Sequence, residues 1–140
     1  MADLERAIEI AALAHRRQLQ KDGQPYILHP LTLMFAVDGE IERIVAVLHD
    51  VVEDSDWSFA DLESEGFAPR VIEVLRLLTH DPEVDYVDYV EAIAADPVAA
   101  AVKRADLRHN LDLLRITEVT DKDLERARKY HRAYRRLESL

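Results

Sequence analysis

Apolar residues recur at intervals of three and four through most of the chain, and this spacing limits the fold more than any other feature of the sequence. Such a period places apolar side chains along one side of an α-helix, whereas a half-buried strand needs strict alternation over several residues. No segment alternates for long enough to predict a strand. The sequence therefore predicts an all-α protein whose amphipathic helices each bury one face.

Capping residues, prolines and glycines divide this pattern into seven or eight helices. The predicted segments run from Asp3 to about Leu19, from His29 to near Asp38, from Ile41 to Glu53, from Phe59 to about Glu65, from Pro69 to about Leu78, from Tyr86 to Ala95, from Pro97 to about Leu114, and onward from Thr120. The pairs Ser58 with Asp61 and Thr120 with Asp123 have the spacing of capping boxes. Because the 140 residues contain no repeat or linker, we expect residues 1–140 to form one domain.

The composition excludes several classes of function. Eighteen Lys and Arg stand against 28 Asp and Glu, and the net charge of −10 disfavours a nucleic acid or an anionic membrane as partner. No 18-residue apolar run predicts a membrane span, and the start lacks the basic-then-apolar layout of a secretory signal. Cysteine is absent, which excludes disulfides, zinc–thiolate sites and thiol nucleophiles. We expect a cytoplasmic protein with a small-molecule ligand; the oligomeric state is not predicted.

Three short stretches concentrate side chains that bind metal ions. They are residues 26–30, 48–54 and 103–110, and the candidate ligands in them are His29, His49, Asp50 and Asp106. Two imidazoles and two carboxylates suit Mn²⁺ or Fe²⁺ better than Zn²⁺ or Mg²⁺. Any one of these residues alone is more often structural, so the prediction depends on their joint occurrence. Glu53 and Asp54 add carboxylates one turn after His49 and Asp50, on one predicted helix end.

These stretches resemble the hydrolase domain of the RelA/SpoT family, and most of all its free-standing members, the small alarmone hydrolases. The shared motifs are the HP pair at His29, HDxxED from His49 to Asp54, ADxxxN from Ala105 to Asn110, and the KDGQPY segment from Lys21 to Tyr26. The likeness extends from about Leu4 to Leu137. It implies an all-helical HD domain that uses Mn²⁺, with other divalent ions as alternatives, to remove the 3′-pyrophosphate from guanosine tetra- and pentaphosphate.

The resemblance also implies roles for individual residues. His29, His49, Asp50 and Asp106 would be the metal ligands, and Glu53 and Asp54 would position or activate the attacking water. The implied substrate contacts are Lys21 to phosphate, Asn110 to the ribose or a nearby phosphate, and Arg126 with Tyr130 to the nucleotide. Lys21, with Arg104 or Arg126, would neutralise the departing pyrophosphate.

Gln20 departs from the family pattern. The family usually has an Arg at this position, which lies against the guanine base. Losing that planar cation removes a contact worth about 1 kcal/mol, so we expect a weaker preference for guanine. Two alternatives therefore stay open: an HD phosphohydrolase for an adenine alarmone, a nucleoside monophosphate or an NADPH-like dinucleotide, and a non-catalytic nucleotide-binding HD module. The intact ligand and carboxylate set argues against the module.

Overall fold

Capping side chains determine where several helices begin. In the computed structural model, which describes residues 2–140, both predicted capping boxes are formed, by Ser58 with Asp61 and by Thr120 with Asp123. Asp3 caps the first helix by accepting a hydrogen bond of 2.9 Å from the Arg6 N–H. Each of these side chains satisfies a backbone donor that the first helical turn leaves unpaired.

Nine α-helices make up most of the described chain. They are α1 (Leu4–Ala14), α2 (Leu28–Ala36), α3 (Glu40–Leu48), α4 (Val51–Asp54), α5 (Phe59–Ser64), α6 (Pro69–Leu78), α7 (Tyr86–Ala94), α8 (Pro97–Asn110) and α9 (Asp121–Glu138), with a 3-10 helix at Leu113–Arg115. Helix α4 is a single turn of four residues, and the other eight are longer. The prediction of an all-α fold with seven or eight helices is therefore confirmed. Between residues 2 and 140, no helix is both long and apolar enough to cross a membrane.

Two predicted helices extend too far along the sequence. The first ends at Ala14 rather than near Leu19, because Arg17 adopts a φ of 71° and Leu19 forms an isolated antiparallel bridge with Pro25. The helix predicted to reach Leu114 ends at Asn110, and extended backbone at Asp112 separates it from the 3-10 helix. Leu19 and Leu114 fit the helical period of the sequence, but both lie beyond the end of the helix, in the segment that follows it.

The segment predicted as one helix from Ile41 to Glu53 is two helices. Asp50 has φ −107° and ψ 1°, which leaves helical geometry between the end of α3 and the start of α4. His49 and Asp50 therefore precede α4 instead of sharing one continuous helix with Glu53 and Asp54, although the Asp54 N–H still donates to the Asp50 carbonyl at 3.0 Å. The apolar pattern concealed the break because Leu48 and Val51, on its two sides, are both buried in the same core.

Helix α3 lies at the centre of the bundle. Five consecutive residues, 44–48, are buried, and α3 contacts α1, α2, α6 and α8. A helix surrounded by neighbours in this way is held firmly by its packing. The position of His49, the residue immediately after α3, is therefore set by the core.

The start of α8 is fixed by a charged cap. Asp96 accepts hydrogen bonds from the N–H groups of Val98 and Ala99 at 2.9 and 3.1 Å. The guanidinium of Arg70, on α6, donates to both oxygens of the same carboxylate at 2.6 and 2.8 Å. Arg70 and these N–H groups hold the pKa of Asp96 below its usual range. This contact ties α8 to α6 at the end opposite Asn110.

We predict that Asp96→Ala lowers the free energy of unfolding by roughly 2 to 3 kcal/mol, because it removes both a helix cap and a bidentate ion pair. Urea denaturation followed by circular dichroism measures this loss. The matched control is Asp85→Ala, since Asp85 precedes α7 without a side-chain cap bond. Equal stability of the two variants would contradict the assigned role of Asp96.

Candidate active site

Three of the four predicted metal ligands form one buried group. His29 lies in the first turn of α2, His49 follows α3, and Asp106 lies in α8. One ligand atom from each residue lies within 4.8 Å of the other two, so the group could hold a metal ion. Helices that are separated in sequence thus bring two imidazoles and a carboxylate to one point.

Asp106 is in contact with every other member of this group. Its Oδ1 lies 3.0 Å from His29 Nε2 and 3.6 Å from His49 Nε2, and it accepts a hydrogen bond of 3.0 Å from the Asn110 amide. Its Oδ2 accepts from Lys103 Nζ at 3.0 Å. Burial opposes ionisation, but Lys103 and the two histidines hold the pKa of Asp106 well below its usual range. Asp106 is therefore a buried carboxylate that carries a negative charge.

His49 presents an unsatisfied nitrogen to the group. Its Nδ1 lies 2.7 Å from the carbonyl oxygen of Ala46, to which it donates, and this leaves a lone pair on Nε2. Nε2 is buried and has no hydrogen-bond partner within residues 2–140, although Asp50 Oδ2 lies 2.9 Å away. Although burial acts in the opposite direction, Asp50 and Asp106 raise the pKa of His49, so a proton and a metal ion compete for the same nitrogen.

His29 is oriented by a second histidine. Its Nδ1 lies 2.7 Å from His109 Nδ1, and the two rings stack with centroids 4.9 Å apart and planes 8° apart. Burial lowers the pKa of His29, and burial with the nearby Arg115 lowers that of His109 to about 4, so both rings are neutral. When His29 carries its proton on Nδ1, its Nε2 is an acceptor that faces another acceptor, Asp106 Oδ1. A cation between these two atoms would satisfy both.

Asp50 lies beside the buried group rather than inside it. One carboxylate oxygen accepts a hydrogen bond from the Tyr26 hydroxyl and lies 2.9 Å from His49 Nε2. Against the effect of burial, His49 lowers the pKa of Asp50 to about 2. Asp50 is thus ionised and lies close to His49, one of the three residues of the buried group. Its role as a fourth metal ligand stays a prediction.

Glu53 and Asp54 lie at the mouth of the cavity above these ligands. The cavity has a volume of about 330 Å³ and both residues line it. The Glu53 carboxylate accepts a hydrogen bond of 3.3 Å from the His80 N–H. Partial desolvation and the charge of Asp50 raise the pKa of both carboxyls. Both are therefore placed to handle a proton beside the group.

The predicted substrate contacts line a second cavity that continues the first. This cavity has a volume of about 310 Å³, and Tyr26, His29, Asn110 and Tyr130 line both. We call the first the metal lobe and the second the base lobe. The base lobe contains the remaining candidates Gln20, Lys21 and Arg126. The structure thus brings every predicted site residue except Arg104 into one cleft.

Two cations of the base lobe share one carboxylate. Lys21 Nζ and Arg126 Nη1 lie 2.5 and 3.2 Å from Asp123 Oδ1. Hydrogen bonds from Lys21 and then from Thr120 hold the pKa of Asp123 below its usual range. Arg104, which the sequence offered as a further phosphate contact, instead donates to the Leu137 carbonyl at 3.2 Å and lines neither lobe.

Several cleft residues have no role in the sequence-based prediction. Lys103 pairs with Asp106, and its position three residues earlier on α8 could have revealed this, since such residues share a helical face. Tyr86 and Tyr89 also line the metal lobe, and the Tyr89 hydroxyl donates to the Leu78 carbonyl at 2.6 Å. No local pattern marked His109 or Arg115.

Curated proteins that resemble this chain are named as enzymes of guanine nucleotides. No protein-family model matches the chain. The guanosine-3′,5′-bis(diphosphate) 3′-pyrophosphohydrolase MESH1 of Drosophila melanogaster is 32% identical over 88% of this chain and 75% of its own length, and that of Danio rerio is 37% identical over 83% and 72%. The chain belongs to the MESH1 family. The resemblance to free-standing alarmone hydrolases is therefore confirmed.

Other comparisons agree with membership of the MESH1 family. A solved structure of a metazoan ortholog of SpoT, described as hydrolysing ppGpp, superposes with a TM-score of 0.77 at 26% identity and covers 98% of this chain and 85% of its own. The chain spans 15% of the GTP pyrophosphokinase of Streptomyces coelicolor and 18% of the related 3′-pyrophosphohydrolase of Aquifex aeolicus. It thus matches one region of these longer proteins.

We predict that a divalent ion stabilises the protein through the buried group. At an ion concentration one hundred times the Kd, binding to the folded state alone stabilises by about 2.7 kcal/mol. Thermal denaturation with and without Mn²⁺ should show this increase for the wild type and a much smaller one for Asp106→Asn. The control is Asp38→Asn, whose side chain is fully exposed. An equal shift in Asp106→Asn would place the ion elsewhere.

Proposed function

We propose that this protein is a metal-dependent guanosine-3′,5′-bis(diphosphate) 3′-pyrophosphohydrolase. The observation that carries the proposal is the buried group of His29, His49 and Asp106 at the floor of a cleft lined by Glu53 and Asp54. The chain's relatives of similar length bear this activity in their names. A non-catalytic binding module would have no chemical need for this arrangement.

The proposed metal ligands are His29, His49, Asp50 and Asp106. The unpartnered Nε2 of His49, next to two ionised carboxylates, fits a cation, and the mixture of nitrogen and oxygen ligands favours Mn²⁺. The chemistry that such an ion supplies when bound is charge neutralisation at phosphoryl oxygens and a lower pKa for water. His109 and the Ala46 carbonyl orient the two imidazoles for this task.

Glu53 is the proposed general base. In the reaction, water attacks the phosphorus bonded to O3′, the P–O3′ bond breaks, and pyrophosphate leaves; the proton lost by water balances the one that O3′ takes up. Glu53 lies at the mouth of the metal lobe, and the His80 N–H fixes one of its oxygens. Because its pKa is raised, this carboxylate binds a proton more readily than an ordinary glutamate. Asp54, beside it, helps to position the water.

Lys21 and Arg126 are the proposed phosphate contacts of the cleft. Lys21 and Arg126 share a single aspartate, so one positive charge of the pair is not neutralised by Asp123. In the metal lobe Lys103 is buried against Asp106, where it offsets part of the acidic charge. Asn110 and Tyr130 line both lobes and would contact the ribose between them. The proposed partner is thus a nucleotide polyphosphate, and we place the activity in the cytoplasm.

We predict that the wild-type protein with Mn²⁺ releases pyrophosphate, and not phosphate, from guanosine tetraphosphate, and that a chelator abolishes this activity. A nucleotide panel, assayed for phosphate and pyrophosphate separately, tests the reaction. Because Gln20 replaces an Arg, the panel includes the adenine alarmone, nucleoside monophosphates and NADPH. Release of pyrophosphate from the adenine alarmone, or of phosphate from one of the others, with guanosine tetraphosphate intact, would replace the proposed substrate by another nucleotide.

We predict that Glu53→Ala retains the metal but loses turnover by roughly two to four orders of magnitude, which is the usual contribution of a positioned acid–base group. Steady-state kinetics and metal analysis of the purified variant measure both. Glu9→Ala, which changes an exposed glutamate of α1, is the control. Loss of the metal together with activity would make Glu53 a ligand, and near-normal turnover would assign the proton to another group.

A further inference from the structure

The base lobe contains an arginine that no motif of the chain marks. Arg115 lies at the end of the 3-10 helix that follows α8, and it lines the base lobe together with the apolar side chains of Leu19 and Ile116. The metal lobe does not include it. A nucleotide whose 3′-pyrophosphate occupies the metal lobe would therefore extend its base toward Arg115.

The guanidinium of Arg115 is held in place by three neutral oxygens. Its Nη1 lies 2.9 Å from the His109 carbonyl and 3.4 Å from Asn110 Oδ1, and its Nη2 donates to Gln20 Oε1. Three acceptors on one fork restrict both the position and the plane of the group. The residue is partly buried, so its orientation is set by the protein rather than by solvent.

The charge of Arg115 is available to a ligand. Lys21 and Arg126, the other two cations of this lobe, both pair with Asp123, whereas the acceptors of Arg115 are a carbonyl and two amide oxygens. A ligand can thus meet the face of this guanidinium without breaking an ion pair. A flat cation beside apolar side chains matches the face of an aromatic ring, to which arginine is attracted through the ring's π-electrons.

Gln20 has a corresponding structural role. Its side-chain oxygen accepts from Arg115, and its amide nitrogen donates to the Pro25 carbonyl at 3.4 Å. The two residues are 95 positions apart in the chain, so the contact links the loop after α1 to the segment after α8. Gln20 therefore connects the turn that contains Pro25 to the Arg115 guanidinium and restricts its position in the base lobe.

We propose that Arg115 is the specificity-determining residue that binds the purine base of the substrate on its planar cationic face, and that Gln20 is its positioning residue. The proposal rests on the function proposed above and adds to it the group that recognises the base. In this proposal the cation that contacts the base is Arg115, which lies 95 positions after Gln20 in the sequence.

Binding of two ligands that the proposed reaction does not consume tests this assignment. GDP carries the base and inorganic pyrophosphate does not, and isothermal titration calorimetry at a fixed Mn²⁺ concentration measures both Kd values. Arg115→Lys keeps the charge and removes the plane. It should raise the Kd for GDP by roughly three- to tenfold and leave that for pyrophosphate within about twofold. Arg115→Gln gives the same test if the lysine variant does not fold.

Two further variants complete the test. Gln20→Ala, which removes one acceptor of Arg115, should raise the Kd for GDP by roughly two- to threefold and leave pyrophosphate unchanged. The matched control is Arg108→Lys, because Arg108 is exposed on α8 and lines neither lobe. It should bind both ligands as the wild type does.

Three results would overturn the proposal. They are an equal weakening of GDP and pyrophosphate, which would make Arg115 a phosphate contact, unchanged GDP binding in the Arg115 variants, and failure of the wild type to bind GDP. An unchanged Kd in Gln20→Ala would overturn the positioning role. A wild type that binds GDP in this pattern but releases no pyrophosphate from guanosine tetraphosphate would instead refute the proposed function.

Discussion

The carboxylate of Asp106 joins the parts of this structure that matter for its chemistry. It contacts His29 of α2, His49 at the end of α3, and Lys103 and Asn110 of its own helix. Burying a charge in a helical core is costly unless opposite charges and hydrogen bonds surround it. Lys103 and Asn110 offset part of this cost, and the two histidines face the remaining side. The position of these helices and the geometry of the site therefore depend on one another.

The packing of the bundle explains why the ligands can be so precisely placed. Helix α3 is enclosed by four neighbours, His49 after it keeps helical backbone angles, and the chain leaves helical geometry at Asp50. A side chain that follows a rigid helix is restricted more than one in a free loop, because the backbone on one side of it cannot move. His49 and Asp50 both line the cleft, while Leu48 and Val51 on either side of them are buried in the core.

Charge is distributed unevenly along the cleft. The metal lobe contains the carboxylates of Asp50, Glu53, Asp54 and Asp106, with Lys103 as the cation buried among them. The base lobe contains Lys21, Arg115 and Arg126. A net charge of −10 is therefore compatible with the proposed polyphosphate ligand, because local cations and a bound divalent ion would reverse the sign of the potential in the cleft.

The sequence by itself determined the helical class, the two capping boxes and the candidate ligands, because each depends on residues close together in the chain or on motifs shared with a family. The tertiary structure decided the features that depend on residues far apart in the sequence. Periodicity could not reveal the break at Asp50, since Leu48 and Val51 face one core whether or not the helix continues. The contacts of His29 with His109 and of Gln20 with Arg115 join residues 80 and 95 positions apart. Such pairs form only where helix packing brings distant segments together, and no local pattern encodes that distance.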